Sequence, residues 1–514
     1  MTGGRGDAEA TRAGRFLDTA AGAAAVVLAL TLVRLAVAGY APLTEDEAYY
    51  RLWALNPAFG YLDHPPMVAW WMAGGLAVAG DTALGVRLVS VLSVMVGSLA
   101  LWRSALIVAA DERTAARAVT WFNATLLVCI GSVIATPDQP ATLFWGLALW
   151  AVLEKVRSGD GRWWLAVGLF AGLGLQSKYS MLFLGAGLVL WLVVSPERRR
   201  WILDPRLWAG GLLAVLLFSP VIAWNAAHEW ASFEKQFGRA AATEWTLAYL
   251  PELLGGQIGL IGPLMVPFFV AGLWLAGRRR RTAAGGVAAP AGVGEAGRSL
   301  LVLSSIPFAL YLLVHALHDR VQANWPAPLY PALALLAADA AARTGDLPGR
   351  SGRVLSALRA WVAPVGVATG LAAFLLLMHP SGFGLAGLDP ARRYRGWDAL
   401  AVEIEAKRLE AGAVWIATGA YGPTAMLSWE LKDVPVVQLD ERLRYAAAPA
   451  PPADLLARPG LLVLRDGAGE TERLTARFRF AEPLGTVARR ADNATAARYA
   501  LFRVSDPVGD PLAP

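Results

Sequence analysis

The sequence predicts a polytopic α-helical membrane protein with about eleven transmembrane helices and a small C-terminal α/β domain outside the membrane. Three observations predict it. Of the 514 residues, 56% are hydrophobic and 17% charged, with a mean hydropathy of +0.45. A soluble chain is about 45–50% apolar and about 25% charged. The apolar residues gather in runs close to the ~20 residues that cross a hydrocarbon core of about 30 Å. Lys and Arg gather in the short connectors between those runs, as topology determinants do.

Residues 1–16 are polar and basic and read as a cytoplasmic N-terminus. A basic start before an apolar run is also the layout of a cleaved leader, but 17–40 is long for one and more runs follow. An uncleaved anchor fits better. The expected spans are 17–40, 84–106, 116–135, 139–156, 163–177, 180–195, 207–223, 247–276, 299–316, 325–342 and 357–378. Gly and Pro within them do not argue against helix, because membrane helices tolerate both. Many of the 21 Trp lie near run ends, where an amphipathic ring suits the headgroup region.

With the N-terminus inside, the inner connectors hold 22 Lys and Arg and the outer ones six: Arg51, Arg87, Lys178, Lys235, Arg239 and Arg320. That asymmetry sets the orientation. An odd number of spans then leaves 379–514 outside. In this tail, 397–411 reads as an amphipathic helix, 413–419 as a strand and 421–431 as a second helix; VPVVQL, GLLVLR and ALFRV read as further strands. No nucleotide-binding glycine motif occurs there. The division is therefore an N-terminus (1–16), a membrane domain (17–378) with a first outer loop at 41–83, and the outer α/β domain (379–514).

A pI near 9.5 does not imply a nucleic-acid partner, since the basic residues sit where topology needs them. The single cysteine, Cys129, lies in an apolar run, which excludes an internal disulfide framework. No Ser-His-Asp or Cys-His pattern stands out for nucleophilic catalysis.

Ionisable groups at a membrane boundary are costly, so their placement is informative. Loop 41–83 carries Glu45, Asp46, Glu47, Arg51, Asp63 and His64 beside Tyr49, Tyr50 and Trp53. Its halves, 45–56 and 66–80, read as short amphipathic helices along the interface. A merely solvated loop is the plain alternative; the clustering of carboxylates with aromatics and an HPP turn weighs against it. Three further polar intrusions share that face. Asp138 opens a span, where Asp also serves as an N-cap. Lys178 has no acidic neighbour in sequence, and a snorkelling lysine is its plain alternative. Residues 318–331 form a polar turn into a proline-broken helix. His315, His318 and Asp319 have a ligand-like helical spacing that would suit a divalent cation, without the HExxH pattern. All five histidines, including His228 and His379, fall outside by this topology.

These residues resemble the polyprenyl-phosphate-sugar-dependent glycosyltransferases of the GT-C fold, above all glycosyltransferase family 39. That family includes protein mannosyltransferases and is similar to the aminoarabinose transferases of lipid A. The stretches that carry the resemblance are TEDEAYYRLW (44–53), YLDHPPMVAW (61–70), ATPDQPATLFW (135–145), GLQSKYS (174–180) and ANWPAPLYP (323–331). It covers 17 to about 345 well and the tail more weakly.

The resemblance implies a catalytic base at Asp46, or less well at Glu47. It implies donor-phosphate contacts from Lys178, Arg320 and His64, the last at a position where the aminoarabinose transferases carry Lys. Asp63, Asp138, Tyr49 and Tyr50 would support the site. The implied partners are a polyprenyl-phosphate-linked sugar donor, a glycolipid, glycan or protein acceptor, and the lipid bilayer. Sugar transfer from a lipid phosphate requires a carboxylate to take the acceptor proton and fixed positive charge where phosphate departs. A transporter of lipid-linked sugars is the main rival. It would call for internal repeats and charges at mid-bilayer depth, whereas the charges here, Arg34 apart, lie at span ends.

Overall fold

The computed structural model describes residues 16–238, 244–277, 292–378, 392, 394–467, 469–491 and 494–513. Segment 1–15, most of the connector 278–298 and His379 lie outside the described residues. The chain folds as two compact units. One comprises Met1–Ala38, His64–Val68 and Leu88–Ala373; the other comprises Gly39–Asp63, Ala69–Arg87 and Phe374–Pro514.

The first unit is helical. Each expected span within it falls on a helix or a pair of helices, among them Ala20–Tyr40, Asp138–Ser158, Trp163–Leu175 and Pro205–Ala227. Span 84–106 starts in the second unit, as helix Ala83–Ala109. By length and composition, four of the described helices can cross a bilayer: Ala20–Tyr40, Ala83–Ala109, Pro205–Ala227 and Val293–His315. Three sharply bent pairs raise that to as many as seven. Short polar devices start these helices. Asp111 caps Glu112–Ala124 through the amides of Arg113 and Thr114, and Asp204 caps Pro205–Ala227, whose Pro205 needs no amide partner.

Packing between helices depends on small residues, since lipid tails give helices no hydrophobic reason to associate. Gly168 and Gly172 on Trp163–Leu175 face Gly210 and Ala214 on Pro205–Ala227, and a Cβ at Gly168 would strike the Gly210 carbonyl. Gly187 lets Leu182–Val194 lie against Ser304 in the same manner. Arg34, fully buried within the first span, donates to the Asn123 side chain at 2.8 Å. Asn123 in turn donates to Ser98 at 2.9 Å, so this membrane-embedded cation is met by an amide.

The second unit carries a five-stranded mixed sheet in the order β2-β1-β3-β5-β4. Its strands are β1 (Trp415–Thr418), β2 (Val436–Gln438), β3 (Gly460–Arg465), β4 (Phe478–Ala491) and β5 (Ala494–Pro507). β1 runs parallel to β2 and β3, while β5 is antiparallel to β3 and β4. Trp415, Ala417, Leu462, Leu464, Leu474, Phe478 and Val504 form its core. Helix Trp397–Glu410 buries Leu400, Ala401 and Ile404. The expected strands at 413–419, 434–439, 460–465 and 500–504 fall on β1, β2, β3 and β5, but β4 had no expected counterpart. It is an edge strand with charged residues, Pro483, and register shifts near Gly485 and Arg490. Edges tolerate these features, and they hide the period-two pattern.

Candidate active site

In the second unit, the acidic loop forms helix Glu45–Leu55, packed against helix Tyr421–Glu430. Thr44 starts it with a capping box: its hydroxyl accepts from the Glu47 amide at 3.1 Å, and its own amide donates to Glu47 Oε2 at 3.0 Å. Glu47 is fully buried and paired with buried Arg87, Nε to Oε1 at 2.6 Å and Nη2 to Oε2 at 2.7 Å. Arg87 also donates to the Ala41 and Pro42 carbonyls. Glu47 therefore locks the start of this helix to the span behind it.

Asp46, one residue earlier, is exposed on the first turn, where the helix dipole favours negative charge. Its Oδ1 accepts from the Tyr421 hydroxyl at 3.0 Å. Asp63 is held by the Tyr49 hydroxyl at 2.9 Å and by an ion pair with Arg444. Arg444 also pairs with Glu441 at 2.8 Å. Its guanidinium lies 4.8 Å from the Tyr421 ring and 5.8 Å from that of Tyr49. Burial lowers the pKa of Arg444, but Glu441 and Asp63 outweigh that and hold it above its ordinary value.

Tyr49, Tyr50 and Trp53 form an aromatic floor with neighbouring rings 4.8–5.9 Å apart, and Trp53 stacks on Tyr61 at 4.2 Å. Burial, reinforced by Asp46 and Asp63, pushes the Tyr50 phenol well up. Tyr61 is pushed up to about 12, again by burial. Both phenols are thus neutral hydrogen-bond donors at physiological pH.

In the first unit, three separate polar stretches meet. Asp138 is the first helical residue of Asp138–Ser158, but Pro137 occupies the N-cap position and no side chain caps this end. Asp138 instead accepts from Lys178 Nζ at 2.6 Å and from Asn324 Nδ2 at 2.7 Å. Lys178 lies 5.6 Å from the Trp325 ring, with 14% of its side chain exposed. Its acidic neighbour, invisible in sequence, comes from 40 residues away. His64, half-buried, opens the turn whose Met67 amide donates to the Gln176 carbonyl at 2.9 Å. That bond sets the HPP turn beside the Lys178 stretch.

Arg320 is largely exposed and pairs with Glu252 at 2.9 Å. His315 is buried, its ring 4.5 Å from that of His318 and its Nε2 3.9 Å from Asp319. Among the described residues, no group of three or more His, Cys, Asp or Glu could hold a metal ion. Residues of these clusters with no role expected from the sequence include Tyr421, Arg444, Arg87, Asn324 and Trp325. Asn324 and Trp325 lie in a stretch that was marked. Nothing local marks Arg444, whose partner Asp63 is 381 residues away.

The sequence pattern of the dolichyl-phosphate-mannose-protein mannosyltransferases matches residues 63–224. A lipid A galacturonosyltransferase of Rhizobium johnstonii is 26% identical over 464 residues, 86% of this chain and 90% of that one. An undecaprenyl phosphate-alpha-4-amino-4-deoxy-L-arabinose arabinosyl transferase of Pseudomonas fluorescens is 27% identical over 265 residues, 47% of this chain and 46% of its own. Among solved structures, ArnT from Cupriavidus metallidurans bound to undecaprenyl phosphate superposes with a TM-score of 0.62 at 18% identity, covering 96% of this chain and all of ArnT. The chain has the GT-C fold and is similar in sequence to glycosyltransferases.

Proposed function

We propose that this transferase moves a sugar from a polyprenyl-phosphate donor to a hydroxyl of a lipid A-type glycolipid, on the extracytoplasmic face and with inversion. The acceptor oxygen attacks the anomeric carbon, and the bond from that carbon to the phosphate oxygen breaks. Asp46 takes the acceptor proton, and the polyprenyl phosphate leaves with the electron pair. Glu47 does not act as the base, because Arg87 and the Thr44 amide already occupy its carboxylate. Lys178 stabilises the departing phosphate, with Asp138 fixing its ammonium. His64 contributes from the adjoining turn, and Arg320 adds an outer positive charge. Asp63, Tyr49 and Tyr50 shape the surroundings of Asp46.

The setting of Lys178 carries this reading. Among the described residues its ammonium has one hydrogen-bond acceptor, Asp138, which leaves two of its three N–H donors for an anion. The two relatives, which act on lipid A and on undecaprenyl-phosphate aminoarabinose by name, support the choice of acceptor and donor class. The skew of Lys and Arg supports an eleven-span arrangement, with 41–83 and 379–514 outside.

The test is mass spectrometry of the envelope glycolipids of a deletion strain, together with transfer by the purified protein. A sugar missing from lipid A and restored by the purified protein with a polyprenyl-phosphate donor is the expected result. Unchanged lipid A with a sugar missing from protein or polysaccharide would redirect the acceptor. An intact envelope and no turnover of any polyprenyl donor would refute the reading.

A further inference from the structure

We infer that Tyr421 is a positioning residue for Asp46, so that the C-terminal α/β fold belongs to the catalytic apparatus and does not serve only to choose the acceptor. The inference rests on Asp46 being the base, and it is drawn entirely within the second unit. Tyr421 opens the helix that follows β1, at the carboxyl end of the parallel strands β2-β1-β3. Open α/β sheets place their ligands at that end. Here the place is taken by the start of the acidic helix. Gly422 allows the approach, since a Cβ there would come within 2.5 Å of the Glu45 carboxylate.

The direction of the Tyr421 hydroxyl is fixed from three sides. Its oxygen donates to Asp46 Oδ1 at 3.0 Å. Its ring lies 5.1 Å from that of Tyr49 and 4.8 Å from the Arg444 guanidinium. Arg444 is itself anchored by Asp63 and Glu441. Burial, and then the neighbouring Asp46, keep this phenol protonated, so it remains a donor throughout the working range.

A donor aimed at the ionised form of a carboxylate favours that form and fixes its rotamer. The charged and titratable groups around Asp46 include Glu45, Glu47, Tyr49 and Tyr50 on its own helix, Asp63 on the loop that follows, Tyr421 on the helix packed against it, and Arg444 after β2. The Tyr421 hydroxyl reaches Asp46 from a different helix.

The experiment compares full-length wild type, Tyr421→Phe and Asp46→Asn in detergent micelles. The donor is polyprenyl-phosphate-linked galacturonic acid or aminoarabinose, whichever the wild type turns over, and lipid A is the acceptor. Tyr421→Phe keeps both ring contacts, so its melting temperature should stay within about 2 °C of wild type. Its kcat is expected to fall about tenfold with little change in donor KM. The acidic limb of its kcat–pH profile should move up by about one unit, because the base loses a hydrogen bond to its charged form. Tyr421→His, which returns a ring N–H, should recover part of that shift.

A merely structural Tyr421 would lower the melting temperature without moving the limb, and that result would overturn the inference. So would wild-type kcat and limb in Tyr421→Phe beside an inactive Asp46→Asn. An active Asp46→Asn would instead remove the reading of Asp46 as base, whatever Tyr421 does.

Discussion

Two carboxylate–cation pairs, one in each unit, have the same 2.6 Å contact and opposite characters. Glu47 and Arg87 are sealed, at 0% and 1% side-chain exposure. Arg87 spends its donors on Glu47 and on two backbone carbonyls. Asp138 and Lys178 are 6% and 14% exposed, and the lysine keeps donors to offer. The first pair fixes where a helix begins; the second holds a positive charge ready at a boundary. A short ion pair therefore says little about function until the remaining valences of its members are counted.

The sharpest way to break this comparison is to remove one member of the sealed pair. Arg87→Ala strands a buried carboxylate and is expected to cost about 3–5 kcal/mol of stability, read as a large drop in melting temperature in detergent. A wild-type melting curve would mean that Glu47 is not the lock described. Next comes the open pair. Lys178→Met should lower the melting temperature less than Arg87→Ala, because Asp138 keeps the Asn324 donor, while transfer falls roughly 10²–10³-fold. Loss of fold with no separate loss of rate would make this pair structural too.

A smaller effect is expected at the cap of the acidic helix. Thr44→Ala should cost about 1 kcal/mol, measured by denaturation in mixed micelles; no cost would show that Arg87 alone sets the helix start. The smallest effect concerns pH. Arg51, with Lys432 beside it, holds the Asp81 carboxyl below its ordinary range. A depressed folded-state pKa gives stability that is present above the unfolded value of roughly 4 and lost as pH falls through the folded one. Asp81→Asn should therefore flatten the melting temperature against pH below about 4, and an unchanged acid slope would count against the Arg51 contact.

Much of the fold was legible because its main signals are local. Apolar runs mark helices wherever no water is available to satisfy a backbone, and the alternating tail segments marked β1, β2, β3 and β5. β4 escaped because an edge strand need not alternate. Asp46, Asp63, Asp138 and Lys178 were conspicuous as candidates because charge at a boundary is rare. Their partners were less so. Arg444 and Tyr421 lie nearly 400 residues from the carboxylates they meet, and no periodicity crosses that distance. The difference in setting between Asp46 and Glu47 was hidden as well. It depends on Arg87, 40 residues on, and on which face of one helical turn each carboxylate takes.

Asp46 is proposed as the group that receives the acceptor proton. The most direct test is the initial rate of sugar transfer by purified Asp46→Asn from a polyprenyl-phosphate donor, with donor binding measured in parallel. A fall of about 10²–10⁴-fold with donor binding intact is expected. Transfer at the wild-type rate would contradict it.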